Sequence, residues 1–224
     1  VFNYSIGWQF NGTGMMEGNR FTNCTAYNGW CMVQANVSKT GIAGIAGYQA
    51  VIWDFYCCDW QGFGYALDLY GCRGVRVRGG FFTFNDRTAS SGNTLAAPWG
   101  ARTSLAACNM MSFSRCADVL LEGIQFDVSG SGTYGDCGLV HFDAQSTNCR
   151  VKECAMLVNS TMAHGFELGD ASGDLNASQP SNTLNVSLEN TWEKWIGGDQ
   201  VADHASKQVA GPWIEDNYYG YPQD

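Results

Sequence analysis

Short runs in which apolar and polar residues alternate recur along the whole chain. In the segment GVRVRGGFF, Val75, Val77 and Phe81 are separated by arginines and glycines, and in GLVHFDA, Val140 and Phe142 alternate with polar residues. A period of two is typical of strands with one buried face, and no segment shows the longer period of a helix. The pattern predicts an all-β protein in which these apolar side chains point inward.

The alternating runs belong to a longer, degenerate repeat. The clearest copies begin at Gly64, Gly138 and His164, and weaker copies begin at Gly7 and Gly29. Units of roughly 20 to 35 residues built from short strands are typical of a parallel β-solenoid, in which each rung buries its inward residues against its neighbours. The spacing predicts roughly seven rungs.

The repeat also predicts the domain organisation. We expect a single domain over residues 1–210 and an extended aromatic segment over residues 211–224. A stretch rich in small and polar residues, at about 85–107, interrupts the repeat and is expected to be a loop insertion on one face.

The rung segments CRGVRVRGGFF and CADVLLEGIQF resemble those of the right-handed parallel β-helix proteins, the pectin-lyase-like superfamily. The resemblance covers nearly the whole chain as architecture, and it implies a single-domain right-handed parallel β-helix. It also makes a polysaccharide hydrolase or lyase one expectation for activity. No catalytic signature supports that activity, because only Ala163, His164 and Gly165 are similar to the GHG segment of polygalacturonases.

Charge and hydropathy restrict the classes of partner. The formal charge is −9 and the sequence pI is about 4.6, which disfavours nucleic acid, since phosphate binding needs clustered basic residues. Arg73, Arg76 and Arg78 come closest to a cluster, and we expect them to form a solvated face. No apolar run is long enough to span a membrane, and no cofactor is expected.

Ten cysteines indicate an oxidising compartment. Zinc is disfavoured because the chain lacks two CxxC pairs. We expect disulfides between neighbouring rungs, with Cys72, Cys116 and Cys149 at equivalent rung positions; the alternative is that some thiols are buried apolar residues of a ladder. The ten are Cys24, Cys31, Cys57, Cys58, Cys72, Cys108, Cys116, Cys137, Cys149 and Cys154.

An excess of N-x-S/T sequons supports secretion through a eukaryotic pathway. Turns rich in asparagine, serine and threonine would also produce sequons by accident, so this alternative stays open. Because the chain starts at Val1 without a signal peptide, we expect a processed, extracellular form. The predicted glycosylation sites are Asn3, Asn11, Asn23, Asn36, Asn159, Asn176 and Asn185.

One column of polar residues is the best catalytic candidate. Alignment of the first strand of each rung places Asp68, Ser112, His141, Asp143 and Glu167 on the outward side of neighbouring rungs. Two carboxylates close together would differ in pKa and supply an acid and a base for polysaccharide cleavage, with the histidine moving the proton. Solvated polar residues are the alternative interpretation of this column.

The ends of the repeat carry the leading functional hypothesis, a structural subunit of an extracellular filament. No polar cap is visible at either end, so rungs of another copy could continue the stack. An aromatic C-terminal segment is expected either to bind a neighbouring subunit or to pack on its own solenoid; its interface candidates are Trp213, Tyr218, Tyr219 and Tyr221. A carbohydrate-binding adhesin, with Trp53, Trp60 and Trp99 as candidate sugar contacts, is a further alternative.

Overall fold

The protein is described by a computed structural model that covers residues 2–12, 16–37, 50–84, 96–97, 100–101, 109–128, 134–143, 146–158, 162–169, 186–195 and 199–203. Within these ranges the chain forms strands and no helix. The prediction of an all-β chain is therefore confirmed. The aromatic segment 211–224 lies outside the described residues, as does most of the predicted insertion at 85–107.

The described residues form seventeen strands. Their bounds are β1 Phe2–Gly12, β2 Met16–Thr22, β3 Thr25–Val37, β4 Ala50–Tyr56, β5 Asp59–Tyr70, β6 Cys72–Arg78, β7 Phe81–Phe84, β8 Ala96–Ala97, β9 Gly100–Ala101, β10 Asn109–Ser114, β11 Ala117–Glu122, β12 Gln125–Val128, β13 Tyr134–Phe142, β14 Thr147–Val158, β15 Met162–Leu168, β16 Val186–Trp195 and β17 Asp199–Asp203. In the predicted insertion, β8 and β9 form a small antiparallel pair.

The other fifteen strands of the described part belong to one sheet, and each pairing is parallel. The pairings follow three ladders. The first ladder stacks β1, the end of β3, the end of β5, β10, β13, β15 and β17. The second stacks β2, β4, β6, β11 and the starts of β14 and β16. The third stacks the starts of β3 and β5, then β7, β12 and the ends of β14 and β16.

Bends in the left-handed backbone region recur at equivalent positions between the second and third ladders. They are Asn23, Cys57, Gly79, Gly123 and Glu153, with φ between 48° and 65°. The amides of the first four bends continue the ladder, as in the hydrogen bonds from Cys57 N to Arg78 O at 2.9 Å and from Gly79 N to Glu122 O at 2.8 Å. Glycine adopts this conformation without strain, and asparagine tolerates it. The bends therefore stack as regularly as the strands.

The core consists of inward columns of apolar side chains, one residue from each strand of a ladder. These columns are Val33, Leu67, Met111, Val140 and Phe166 in the first ladder, Phe21, Phe55, Val77, Leu121 and Val151 in the second, and Ala26, Trp60, Phe82, Phe126 and Met156 in the third. Aromatic rings stack between rungs, as with Phe21 and Phe55, whose ring centroids are 4.9 Å apart. Such contacts add to the stabilisation from burial itself.

The predicted inward residues are buried with one exception. Val75, Val77, Val140 and Phe142 are in the core, whereas Phe81 is only half-buried. The bend at Gly79 and Gly80 lies between the arginines and the phenylalanines and restarts the alternation, so that the second phenylalanine of the run points inward instead.

The cysteines correct a second prediction. Nine of the ten lie in the described residues, and no disulfide joins any two of these nine; Cys108 lies outside. Cys72 and Cys116 do occupy equivalent positions, but Ser146 takes the next position in that column and Cys149 lies beside Val119 instead. The described cysteines therefore form no staples between rungs, and most are small buried residues of the ladders, which is the alternative that the sequence left open.

Burial determines the ionisation of the ladder thiols. The hydrogen bond with Cys116, together with burial, raises the pKa of Cys72 well above its usual value. Burial raises the pKa of Cys154 to about 12 and that of Cys58 to about 11. These thiols stay protonated at neutral pH, which suits an apolar position.

Candidate functional site

A polar column runs along the outward side of the first ladder, and it contains most of the residues predicted from the sequence. Asp68, Ser112, His141 and Glu167 pair with one another in register on β5, β10, β13 and β15. Neighbouring strands lie about 4.8 Å apart, so each of these residues has the next as its immediate neighbour. The structure thus brings these four predicted residues together.

Two glutamines extend the same column towards β1, and sequence reasoning missed them. Gln9 and Gln34 are in register with each other and with Asp68. Gln9 Nε2 donates a hydrogen bond to Gln34 Oε1 at 3.0 Å, and Gln34 Nε2 donates to Asp68 Oδ2 at 2.9 Å. The two hydrogen bonds orient the NH₂ groups of both glutamines towards Asp68, and a carboxylate can accept several hydrogen bonds at once.

The other half of the column joins a hydroxyl, an imidazole and a carboxylate. Ser112 Oγ lies 3.4 Å from His141 Nδ1, and Glu167 follows at the next rung. Asn109 Nδ2 donates a hydrogen bond to Glu167 Oε2 at 3.1 Å. Ser112 is largely buried, with 9% of its surface exposed.

Asp143 does not belong to this column, contrary to the prediction. Strand β13 ends at Phe142, and the carboxylate of Asp143 is buried in the turn that follows. Its Oδ1 accepts hydrogen bonds from the Arg115 amide at 2.9 Å and from Ser146 Oγ at 2.7 Å. Asp143 therefore holds two turns together.

A groove of about 490 Å³ lies beside the column. It is lined by Gln34, Ala35, Asn36, Asp68, Tyr70 and Ser114. Asn36, Tyr70 and Ser114 form a second outward column in register, two residues beyond the first. The guanidinium of Arg115 lies 5.4 Å from the centre of the Tyr70 ring. The groove therefore offers a carboxylate, two amides and two hydroxyls on the outward side of the sheet.

The spacing of the two carboxylates disfavours a glycosidase pair. Asp68 and Glu167 are separated by three steps of the ladder, or about 14 Å along the sheet. Retaining glycosidases place their two carboxyl groups about 5 Å apart and inverting ones about 6.5–9.5 Å apart. The column does not bring two carboxylates to either separation.

The arginines predicted to form a solvated face lie on the second ladder. Arg73 and Arg76 are exposed, and Arg78 is half-buried. Arg73 Nε pairs with Asp118 at 2.7 Å, and Arg78 Nη2 pairs with Asp54 at 3.0 Å. In the adjoining outward column, Arg78, Glu122 and Lys152 follow one another in register, and Lys152 pairs with Glu122. Basic and acidic residues alternate here, as expected of a solvated face.

The remaining predicted residues are widely distributed. Asn23 is exposed at a bend, Asn36 is exposed at the groove, and Asn3 and Asn11 lie in β1. Trp53 and Trp60 are fully buried in the core, so they cannot contact a sugar. The predicted residues that lie outside the described part are Trp99, Asn159, Asn176, Asn185, Trp213, Tyr218, Tyr219 and Tyr221.

The described residues contain no group of three metal-ligating side chains and no helix able to cross a membrane. Comparison of the chain with protein-family models, with curated proteins and with solved structures gave no match. We therefore infer the function from the geometry of the polar column and its groove.

Proposed function

We propose that the protein is a secreted parallel β-helix whose first ladder binds a saccharide in the groove beside the polar column. The observation that carries the proposal is the pair of in-register outward columns that contain Gln34, Asp68, Asn36 and Ser114. Carboxylates and amides bind sugar hydroxyls well, because they accept and donate hydrogen bonds in pairs. Their fixed spacing along a rigid sheet matches the regular spacing of a polymer.

The β-helix itself is part of this proposal. Seven strands stack in the first ladder of the described part, which supports a solenoid of roughly seven rungs as the proposed architecture. The equivalent bends at each rung support a chain that coils through the three ladders in turn. Parallel crossovers within a sheet are nearly always right-handed, which favours the hand of the pectin-lyase-like proteins that the rung segments resemble.

Secretion is proposed from the sequons and from their exposure. Asn23 and Asn36 are exposed in the structure, as glycan acceptors must be. The buried cysteines of the ladders neither require an oxidising compartment nor exclude one, because their thiols are protonated at neutral pH.

Glycan-array screening followed by titration calorimetry on the best oligosaccharide tests the proposed binding. Asp68→Asn keeps the size of the side chain but removes its charge, and we expect a loss of affinity of about tenfold or more. Asp118→Asn, on the second ladder and remote from the groove, is the matched control and should bind normally. The protein should carry Ser38→Ala, which removes the sequon of Asn36 without changing the groove residue, so that no attached glycan occupies the groove. Absence of binding across a broad array, or equal losses in both aspartate variants, would contradict the proposal.

End-to-end association into a filament is a second candidate. Within the described residues, β1 pairs only with β3 and β2 only with β4, so each leaves one edge without a strand. Trp8 and Phe10 lie on this terminal rung and pack against the core only in part. An edge of this kind can accept the strand of another copy.

Sedimentation over a range of concentrations and negative-stain microscopy test the filament. Comparison with a variant truncated after residue 210 separates association through the rungs from association through the aromatic segment. Fibres formed by both proteins would favour stacking of rungs, and fibres formed only by the full chain would favour the segment. Monomers alone at micromolar concentration would exclude both routes.

A further inference from the structure

We propose that Ser112, His141 and Glu167 form a hydrolytic triad that removes ester substituents from the saccharide. The inference rests on the proposed saccharide site, because Ser112 is the neighbour of Asp68, which lines the groove. A substituent of a sugar bound beside Asp68 would therefore lie next to the Ser112 hydroxyl. The substrate class is an acylated, uncharged or weakly charged carbohydrate.

The three residues occupy consecutive rungs in the order that a nucleophile, a base and an orienting acid require. Ser112 Oγ is 3.4 Å from His141 Nδ1, and Glu167 pairs with His141 in register on the opposite side. A hydrogen bond of this length without substrate is usual, since catalytic hydrogen bonds shorten in the complex. Triads are recognised by this geometry rather than by the order of their residues in the chain.

A neighbouring side-chain amide holds the carboxylate of Glu167 in place. Asn109 Nδ2 donates a hydrogen bond to Glu167 Oε2 at 3.1 Å, which fixes one oxygen of the carboxylate. A carboxylate beside an imidazole stabilises the protonated ring that forms during the reaction. Glu167 is therefore a positioning residue, while Ser112 and His141 are the catalytic residues.

The reaction needs no oxidant and no metal. Ser112 Oγ attacks the ester carbonyl carbon while His141 takes the hydroxyl proton, and a tetrahedral intermediate forms. The bond between the carbonyl carbon and the sugar oxygen then breaks, and His141 returns the proton to that oxygen. Water attacks the acyl-serine with His141 again as the base, which releases the carboxylic acid and restores Ser112. Each proton that His141 accepts is thus returned within the cycle.

Labelling with a fluorophosphonate probe, located by peptide mass spectrometry, tests the nucleophile directly. We expect a single modification at Ser112 in the folded protein and none in Ser112→Ala. Ser187→Ala is the matched control, because Ser187 lies on β16, where it pairs with Arg150 in the second ladder and belongs neither to the polar column nor to the groove. It should be labelled at the normal rate. Failure to label the wild-type protein, or labelling that persists in Ser112→Ala, would overturn the triad.

Hydrolysis of p-nitrophenyl acetate tests the other two roles. His141→Gln should lower kcat/KM about 100-fold or more, and the Ser112→Ala, His141→Gln double variant should be no slower than the worse single variant. Glu167→Gln should shift the acid limb of the pH–rate profile to lower pH, because it removes the charge that favours protonated imidazole, and Glu167→Asp should restore part of the shift. An unchanged profile would assign Glu167 a structural role only.

The outcomes for the triad and for saccharide binding are independent. Binding without labelling would leave the saccharide site intact and refute the triad. Labelling without binding would keep the esterase and refute the groove as its substrate site. Circular dichroism of each variant checks that the sheet is retained.

Discussion

Gly80 and Gly123 both have a positive φ but lie in different surroundings. Comparison of their alanine variants measures how closely the rungs pack. Gly80 has φ +100° and Gly123 has φ +63°, so both lie where an L side chain is strained. A Cβ at Gly80 would overlap the carbonyl oxygen of Cys58 and lie 3.1 Å from two further backbone atoms of that residue. A Cβ at Gly123 would meet nothing closer than Gly79 N at 4.0 Å.

The expected costs follow from these contacts. A positive φ costs an alanine about 1–2 kcal/mol, and the loss of glycine entropy in the unfolded chain returns about 0.4–1 kcal/mol. Gly123→Ala should therefore lower the free energy of unfolding by about 1 kcal/mol. Overlap with a backbone atom adds about 1–3 kcal/mol, since a strand of the ladder must shift. Gly80→Ala should lower the free energy of unfolding by about 3 kcal/mol.

Guanidinium denaturation followed by circular dichroism measures both values. The midpoint of Gly80→Ala should fall well below that of Gly123→Ala, with the slope of the transition unchanged. Gly123→Asn is a further control, because Asn23 occupies the equivalent bend with φ 51°. Equal destabilisation by the two alanine variants would refute the argument, since it would mean that neighbouring rungs do not confine Gly80.

Three further predictions concern modification and local stability. Asn11 and Asn36 lie one rung apart in register, so we expect glycans to exclude each other there; in glycopeptide mass spectrometry, Asn36→Gln should raise the occupancy of Asn11, and unchanged occupancy would contradict this. Exposed Cys57 should react with iodoacetamide at pH 8 before Cys154, because burial raises the pKa of Cys154 to about 12; comparable rates in the folded protein would be inconsistent with the burial. Asp143→Ala should lower the free energy of unfolding by about 1–2 kcal/mol, because it leaves the partly buried Arg115 amide without its acceptor and removes the hydrogen bond from Ser146; chemical denaturation measures the loss, and a stability equal to wild type would argue against this role.

Alternation along a single strand was enough to predict which of its residues point inward. The prediction failed where a bend separates two strands. Val75 and Val77 were assigned correctly because both lie within β6. Phe81 was not, because the bend at Gly79 and Gly80 precedes it and changes which residue of the next strand points inward. The equivalent bends at Cys57 and Glu153 carry no glycine, so the sequence does not reveal them.

The polar column was predictable where copies of the repeat are clear and was missed where they are weak. Asp68, His141 and Glu167 lie in the clear copies of the repeat, Ser112 lies in the strand between the first two of these copies, and their alignment matches the register of the ladder. Gln9 and Gln34 were missed because the weak copies were aligned on Gly7 and Gly29, whereas Gly29 pairs with Tyr4. The groove depends on the side-by-side packing of two columns, which a linear pattern does not contain.

The alternating charges on the second ladder have a consequence for how the chain reaches its fold. Rungs of similar shape can stack in the wrong order, and long-range parallel pairing is slow enough for such errors to accumulate. In the correct order, Glu122 lies between Arg78 and Lys152 and attracts both of them. If the rung of Glu122 were skipped, Arg78 would lie directly beside Lys152, and the two positive charges would repel each other. Repulsion in this column therefore destabilises a stack with its rungs in the wrong order. The same charges contribute little to the stability of the correct stack, because exposed ion pairs are weak.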